Sequence, residues 1–252
     1  GLIVVLLVHE GSHGIIARAN NISLKSVGLA LFIAIPGAFV EPDEEELKTT
    51  SRLTRLKVYA AGSMGNFVTA LIAFVLIVGL INPLLTPSGI KIISIEDSSS
   101  VFGVLSEGNI ITEINGIKIE TLQNFYDIMQ NTKPGDQLNI ITDKGTFNVA
   151  LNDHPREPGK GYIGIVTSQN YTSRISMKAI TPISGVLFWI FFLNFNIGLI
   201  NLFPLPFLFD GGKIFKEIVD TKFSEANSNA IQKIFAVIGI LLFAINILPS
   251  IL

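Results

Sequence analysis

Long runs without a charged residue constrain this chain more than any other feature of its sequence. Residues 58–90, 179–209 and 234–252 contain no Lys, Arg, Asp or Glu over 33, 31 and 19 residues. A helix of about 20 apolar residues crosses a hydrocarbon core of roughly 30 Å, so each run is long enough to span a membrane. A further apolar run begins at Leu2. The pattern predicts a polytopic α-helical protein with about four segments in a lipid bilayer.

The composition excludes several classes of function. Of the 252 residues, 49% are hydrophobic and 15% are charged, whereas roughly 25% are charged in an ordinary soluble domain. A net charge of −2 provides no basic surface for nucleic acid, so we expect no nucleic-acid partner. The absence of cysteine excludes disulfides, thiol nucleophiles and thiolate metal sites. Any metal must therefore be bound by His, Asp or Glu.

Charged residues are more frequent in the middle of the chain, which we interpret as a water-soluble insert within a membrane domain. We expect the four membrane segments at residues 2–19, 58–80, 183–203 and 231–252. The predicted division is a first membrane part at 1–86, an α+β insert at 87–153, a linker at 154–178 and a second membrane part at 179–252. The chain begins at Gly1 within an apolar run, so we also expect further sequence upstream.

The insert alternates short apolar runs with turn residues. Asn115-Gly116 is a strong hairpin signal, since a type I′ turn needs positive φ at both central residues. A helix is predicted over 122–130, before the turn residues Pro134-Gly135-Asp136. Strands are predicted at 90–95, 110–114, 117–119, 138–142 and 147–151.

The apolar segment 27–40 is too short to cross a bilayer and is interrupted by Pro36-Gly37. It fits a re-entrant or interfacial segment, and its β-branched and aromatic residues allow an extended structure. A buried loop that covers the helices is an equally good interpretation. The acidic residues 41–46 that follow suit a solvated helix start.

The short connections 41–57 and 211–233 are rich in Lys and Arg. The positive-inside rule counts short loops, so it assigns both connections to the cytoplasm and the long insert to the outside. We expect an integral protein of a prokaryotic cell membrane.

Three polar residues interrupt the first apolar segment. His9, Glu10 and His13 match the pattern H-E-x-x-H, and charged groups inside a spanning helix cost on the order of 3 kcal/mol each. Four residues turn an α-helix by about 400°, so the two imidazoles share a face and can bind one metal. In that arrangement two histidines hold zinc and the carboxylate is the general base. The alternative is a polar cluster with only a structural role.

Zinc in a hydrolase usually takes a third protein ligand. The remaining histidine, His154, falls in the extramembrane region between the two membrane parts, whereas Asp210 follows the uncharged run 179–209. Asp210 is therefore the best candidate, and Zn²⁺ with ionised Asp210 and Glu10 sums to zero charge. The alternative is that Asp210 only caps the next helix.

With these residues in place, the sequence resembles the site-2 protease family of intramembrane zinc metalloproteases, in the branch that contains a PDZ domain. The resemblance covers nearly the whole chain. The order of features is an H-E-x-x-H helix, a G-x-x-x-N helix, an insert, and an N-x-x-P-x-P segment followed by D-G-G. The matching residues are His9, Glu10, His13, Gly62, Asn66, Asn201, Pro204, Pro206, Asp210, Gly211 and Gly212.

The resemblance implies a set of roles for these residues. His9, His13 and Asp210 would bind Zn²⁺, and Glu10 would be the general base. Asn66 and Asn201 would bind the unwound backbone of a transmembrane protein substrate, although intramembrane asparagines often only hold helices together.

For the other segments the resemblance implies contacts with the substrate. Segment 27–40 would receive the substrate as an added strand. The cleaved bond would lie within or near the substrate's transmembrane segment, toward the cytoplasmic side. The PDZ-like insert would bind a peptide or exclude bulky substrates, and both possibilities remain open.

Two other classes of protein compete with the protease. A non-catalytic membrane adaptor would use a structural zinc, with four protein ligands, and the insert as its binding module. A transporter with an intramembrane metal site would show paired internal repeats, and the sequence has none that we detect. The number of protein ligands to the zinc distinguishes the adaptor from the protease, because a fourth protein ligand favours the adaptor and an open fourth position favours the protease.

Overall fold

The computed structural model describes residues 1–32, 35–205 and 209–247. The chain divides into two compact units, the first formed by Gly1–Leu80 with Thr181–Leu252 and the second by Ile81–Ile180. The second unit is thus an insert in the first, with wider bounds than the predicted 87–153.

Helices dominate the chain outside the insert. They are α1 (Leu2–Ala19), α2 (Glu44–Thr49), α3 (Arg52–Leu76), α5 (Met177–Asn201), α6 (Asp210–Val219) and α7 (Glu225–Ile247). Helix α3 continues through a π-helical turn at Ile77–Ile81 and a short 3-10 turn at Asn82–Leu84. Within the first unit, α1 packs against α3, and α6 packs against both α3 and α7.

Among the described residues, three helical stretches are long and apolar enough to cross a membrane. They are Leu2–Ala19, Arg52–Leu84 and Met177–Asn201, and they match the first three predicted segments. Their large apolar side chains are widely exposed, for example Ile15 at 69% and Leu71 at 60%, as expected of surfaces that face lipid. The fourth predicted segment overlaps α7, and its residues 248–252 lie outside the described part of the chain. A total of about four segments therefore stays a prediction.

Segment 27–40 lies in a β-hairpin. Strand β1 (Leu24–Phe32) pairs antiparallel with β2 (Ile35–Pro42), and Val27 is opposite Val40. The extended interpretation is confirmed for the described residues, while Ile33 and Ala34 lie outside them. Strand β2 packs on α1, and a Cβ added to Gly14 would lie 3.1 Å from Val40 Cγ1.

Side-chain caps begin the two helices that follow the hairpin. The Asp43 carboxylate accepts hydrogen bonds from the Glu45 and Glu46 amides at 2.9 and 3.0 Å, and Ser51 caps α3 through the Thr54 amide at 3.2 Å. The acidic run therefore starts a short helix, as predicted.

The strands of the insert are β3 (Leu85–Ile95), β4 (Ile110–Ile114), β5 (Ile117–Lys118), β6 (Gln137–Thr142), β7 (Gly145–Ala150), β8 (Asn152–Asp153), β9 (Gly161–Tyr162) and β10 (Ile165–Ser173). Six of them form an antiparallel sheet with the strand order β10-β3-β4-β6-β7, in which β5 also pairs with β4. Helix α4 (Leu122–Met129) begins with a capping box formed by Thr121 and Asn124.

The predicted strands, helix and turn of the insert are confirmed. Asn115 and Gly116 have φ values of 49° and 81°, as a tight turn between β4 and β5 requires. The core consists of inward-facing aliphatic side chains, and Ile90, Ile111 and Ile140 are completely buried.

The predicted linker at 154–178 is only partly correct. It contains β10, which pairs along β3 with Ser173 opposite Leu85 and Ile165 opposite Ile95. The prediction ended the insert too early because β10 is mostly polar, with the sequence Ile165-Val-Thr-Ser-Gln-Asn-Tyr-Thr-Ser173. It lies at a sheet edge, where polar residues are tolerated.

Candidate active site

Helices α1 and α6 bring His9, His13 and Asp210 together. Asp210 Oδ2 lies 3.2 Å from His9 Nε2 and 3.0 Å from His13 Nε2, and the two Nε2 atoms are 3.3 Å apart. The two imidazoles are each 11% exposed and the carboxylate is 15% exposed. Three atoms that could hold a metal ion therefore lie within 4.8 Å of one another, in a place that is largely shielded from solvent.

Helix α3 contacts the opposite nitrogen of each imidazole. His13 Nδ1 donates a hydrogen bond to the Val58 carbonyl at 2.7 Å. His9 Nδ1 lies 3.2 Å from the side-chain amide of Asn66. Both rings are thus held with Nε2 toward Asp210.

Asp210 is the first residue of α6. Phe209 occupies the N-cap position and makes no side-chain cap bond, so the interpretation of Asp210 as a mere cap is wrong. Burial alone raises the pKa of the Asp210 carboxyl, but hydrogen bonds and charge interactions with His13 and His9 outweigh it and hold the pKa below its usual value. The next residue, Gly211, has no room for a side chain, because an added Cβ would lie 2.2 Å from the Leu202 carbonyl oxygen.

Gly62 provides a test of whether a metal fits. A Cβ on Gly62 would lie 2.4 Å from His13 Nε2 and 2.6 Å from His9 Nε2. Zinc binds imidazole nitrogen at about 2.0–2.1 Å, so the missing side chain keeps open the space beside both nitrogens. Two imidazoles and a carboxylate are a donor set that suits zinc. The residues present fit the ion.

Glu10 lies next to these ligands without contacting them through a hydrogen bond. Its Oε2 accepts a hydrogen bond from the backbone amide of Val40 at 2.9 Å. Val40 belongs to β2, so this amide belongs to the strand edge that faces α1. The general base predicted from the sequence is therefore held by the hairpin.

A cleft of about 610 Å³ opens onto these groups. Glu10 and the three candidate metal ligands line it, together with the Phe39–Pro42 part of β2 and the end residue of α5, Asn201. Lys48, Lys213 and Glu44 add charged groups to its walls. A volume of this size can hold water beside these groups.

The two asparagines occupy different places. Asn201 lines the cleft, whereas Asn66 is completely buried and contacts His9. Their predicted contacts with a substrate stay predictions. Pro204 follows the end of α5, and Pro206 lies outside the described residues.

Several contributors to this arrangement were missed by sequence reasoning. They are the Val58 carbonyl, the Val40 amide and the ion pair between Arg55 and Glu217, in which Nε–Oε1 and Nη2–Oε2 are 2.6 and 2.9 Å apart. The backbone groups leave no signal in the residue types. The ion pair could have been suspected only from opposite charges in the connections 41–57 and 211–233.

The model of peptidase family M50 matches residues 1–248. An uncharacterized protein of Methanocaldococcus jannaschii is 32% identical over 207 residues, which are 81% of this chain and 52% of that protein. The membrane-bound transcription factor site-2 protease homolog of Arabidopsis thaliana is 25% identical over 166 residues, which are 64% of this chain and 31% of that protein. The chain thus spans about half the length of the Methanocaldococcus protein and about a third of the length of the Arabidopsis protein.

Solved structures of PDZ domains each match about a third of this chain. The PDZ domain of an SdrC-like protein from Listeria innocua is 25% identical, with 33% of this chain and 97% of that chain covered and a TM-score of 0.30. The corresponding domain from Listeria monocytogenes is 28% identical, with 32% and 87% covered and a TM-score of 0.29.

Proposed function

The chain belongs to peptidase family M50, and from this premise we propose that it hydrolyses a peptide bond within or near the transmembrane segment of a membrane-protein substrate. Members of the family are zinc metallopeptidases of the site-2 protease type. The observation that carries the proposal is the convergence of His9, His13 and Asp210 beside Glu10 in one cleft.

The metal would be held by His9 Nε2, His13 Nε2 and a carboxylate oxygen of Asp210. When bound, zinc supplies Lewis-acid catalysis and makes water more acidic. Three protein ligands are the usual number in catalytic zinc sites, whereas structural sites have four. The described residues contribute three donors to this cluster, which favours the protease over the adaptor with a structural zinc.

Glu10 would accept the proton of the attacking water at a carboxylate oxygen and later deliver it to the leaving amine. Its carboxylate lines the cleft, so a water molecule in the cleft can reach it. The Val40 amide holds Oε2, which fixes the direction of the carboxylate and leaves Oε1 for the proton.

A transmembrane substrate hides its peptide bonds in a helix and must unwind before hydrolysis. The edge of β2 lines the same cleft as Glu10, so an unwound segment could add to the hairpin as a further strand. Asn201, at the end of α5, lines the cleft and would donate a hydrogen bond to that segment. The insert would contact a peptide or exclude bulky substrates on the extracytoplasmic side, in a prokaryotic cell membrane.

Replacement of Glu10 by Gln tests the catalytic part of this proposal. Gln keeps the size of the side chain but cannot act as a base at neutral pH, so Glu10→Gln should bind one zinc per chain and cleave a helical test substrate at least about 100-fold more slowly. Zinc content and single-turnover cleavage in detergent measure the two effects. A variant that retains wild-type cleavage contradicts the role of Glu10, and a wild-type protein without zinc contradicts the metalloprotease.

A further inference from the structure

Asn66 lies behind the proposed metal site, on the side away from the cleft. Its side chain is completely buried, and its amide is 3.2 Å from His9 Nδ1. The other amide atom, Oδ1, is buried and has no hydrogen-bond partner among the described residues. A buried carbonyl oxygen without a partner is costly, so the present pairing leaves one strong acceptor unused.

A metal on His9 would determine which amide atom faces the ring. An imidazole that binds a metal through Nε2 carries its proton on Nδ1 and needs an acceptor there. A 180° rotation of the Asn66 amide exchanges its nitrogen and oxygen, which have nearly the same size. The rotated amide places Oδ1 at the distance now held by Nδ2, where it can accept the Nδ1 proton.

The two histidines would then be held in the same way. His13 Nδ1 already donates to an oxygen of α3, the Val58 carbonyl at 2.7 Å.

We propose that Asn66 is a positioning residue for the metal, which fixes His9 by accepting a hydrogen bond from Nδ1 through its Oδ1. This inference rests on the proposed zinc site and replaces the role of substrate contact for this residue. Partners of this kind fix the tautomer and direction of a metal-binding histidine, and their loss typically weakens metal affinity about 10–100-fold.

Zinc affinity of the purified chain, measured by competition with a chelator, tests the proposal. Asn66→Leu keeps the side-chain volume and removes the acceptor, so zinc should bind about 10–100-fold more weakly. Asn66→Asp keeps an acceptor and should bind zinc at least as tightly as the wild type. The absorption spectrum of the Co²⁺-loaded protein should change for Asn66→Leu and stay the same for Asn66→Asp.

Asn194→Leu is the matched control. Asn194 is also completely buried, and its Oδ1 also lacks a partner among the described residues, but its amide nitrogen donates within its own helix to Ile190 O at 2.8 Å. This variant should lose the same kind of buried amide without any change in zinc affinity.

Two results would overturn the proposal. One is an Asn66→Leu protein that binds zinc as tightly as the wild type. The other is an Asn66→Asp protein with normal zinc affinity but a raised KM, since that result means that the amide nitrogen donates to substrate. The comparison of Asn66→Asp with the wild type tests the proposal even if Asn66→Leu does not fold. A wild-type protein that binds no zinc is a separate outcome, which overturns the proposed function itself.

Discussion

Gly62 shows how much the site depends on a side chain that is absent. Alanine is favoured over glycine in a helix by about 1 kcal/mol, so a glycine in the middle of α3 has a local cost. The reason for glycine here is the approach of both imidazoles, whose Nε2 atoms lie within 2.6 Å of the position a Cβ would take. A methyl group would occupy the space that borders the metal ligands.

Gly62→Ala should therefore lose zinc although its helix propensity improves. We expect zinc content to fall from one per chain to nearly none, and cleavage to fall with it. Gly185→Ala is the control, because Gly185 lies in α5 with no atom within 4 Å of its added Cβ. That variant should keep its zinc, as elemental analysis of the two purified proteins can show. Normal zinc content in Gly62→Ala would contradict this account of the site.

The sequence predicts the chemical groups of the site better than their supports. His9, Glu10 and Asp210 could be identified because polar groups in or beside apolar segments are costly and need a reason. The Val40 amide and the Val58 carbonyl could not be identified, since every residue carries these backbone groups and only the packing of β2, α1 and α3 selects two of them. The contact of Asn66 with His9 likewise depends on how two helices pack.

At the level of elements, the ion pair between Arg55 and Glu217 connects α3 to α6, the helix that begins with Asp210. Arg55 is 22% and Glu217 is 17% exposed, and Arg55 also donates to the Thr50 carbonyl at 2.7 Å. Lys213 on α6 lies 5.6 Å from the centre of the Tyr59 ring on α3. These contacts set the position of α6, and with it that of Asp210, relative to the histidines.

Arg55→Ala should destabilise the protein by about 1–3 kcal/mol, between the values for exposed pairs and for buried pairs that lose one partner. Cleavage should also slow, because α6 carries Asp210. Lys216→Ala, which breaks the exposed pair with Asp220 on the same helix, should change the free energy of unfolding by less than about 0.5 kcal/mol. Denaturant unfolding in detergent measures both values. Equal effects of the two substitutions would refute the linking role of Arg55.

The sequence predicts helices and strands correctly where the length of an apolar run fits only one of the two. Helices α1, α3 and α5 follow from long apolar runs, and the strands of the insert follow from short runs between turn residues. Segment 27–40 could not be assigned, since an apolar stretch of this length fits a strand, a loop or a re-entrant segment until a partner strand is known. Strand β10 was missed because an edge strand can be polar.

For the whole molecule, the distribution of charge anticipates the division into a membrane unit and an insert. The insert is continuous in sequence from Ile81 to Ile180, and its first and last long strands, β3 and β10, pair over most of their length. Its two ends therefore leave the sheet side by side, since Leu85 is opposite Ser173. This pairing explains how a sheet domain can be inserted between the sequences of two membrane helices.

The protease proposal requires one metal ion held by three protein ligands in the membrane unit. X-ray absorption spectroscopy of the purified chain, combined with zinc analysis, measures this number of ligands. We expect one zinc per chain, bound by two imidazole nitrogens, one carboxylate and one oxygen that does not belong to the protein. A chain without zinc, or a zinc with four protein ligands, would contradict the proposal.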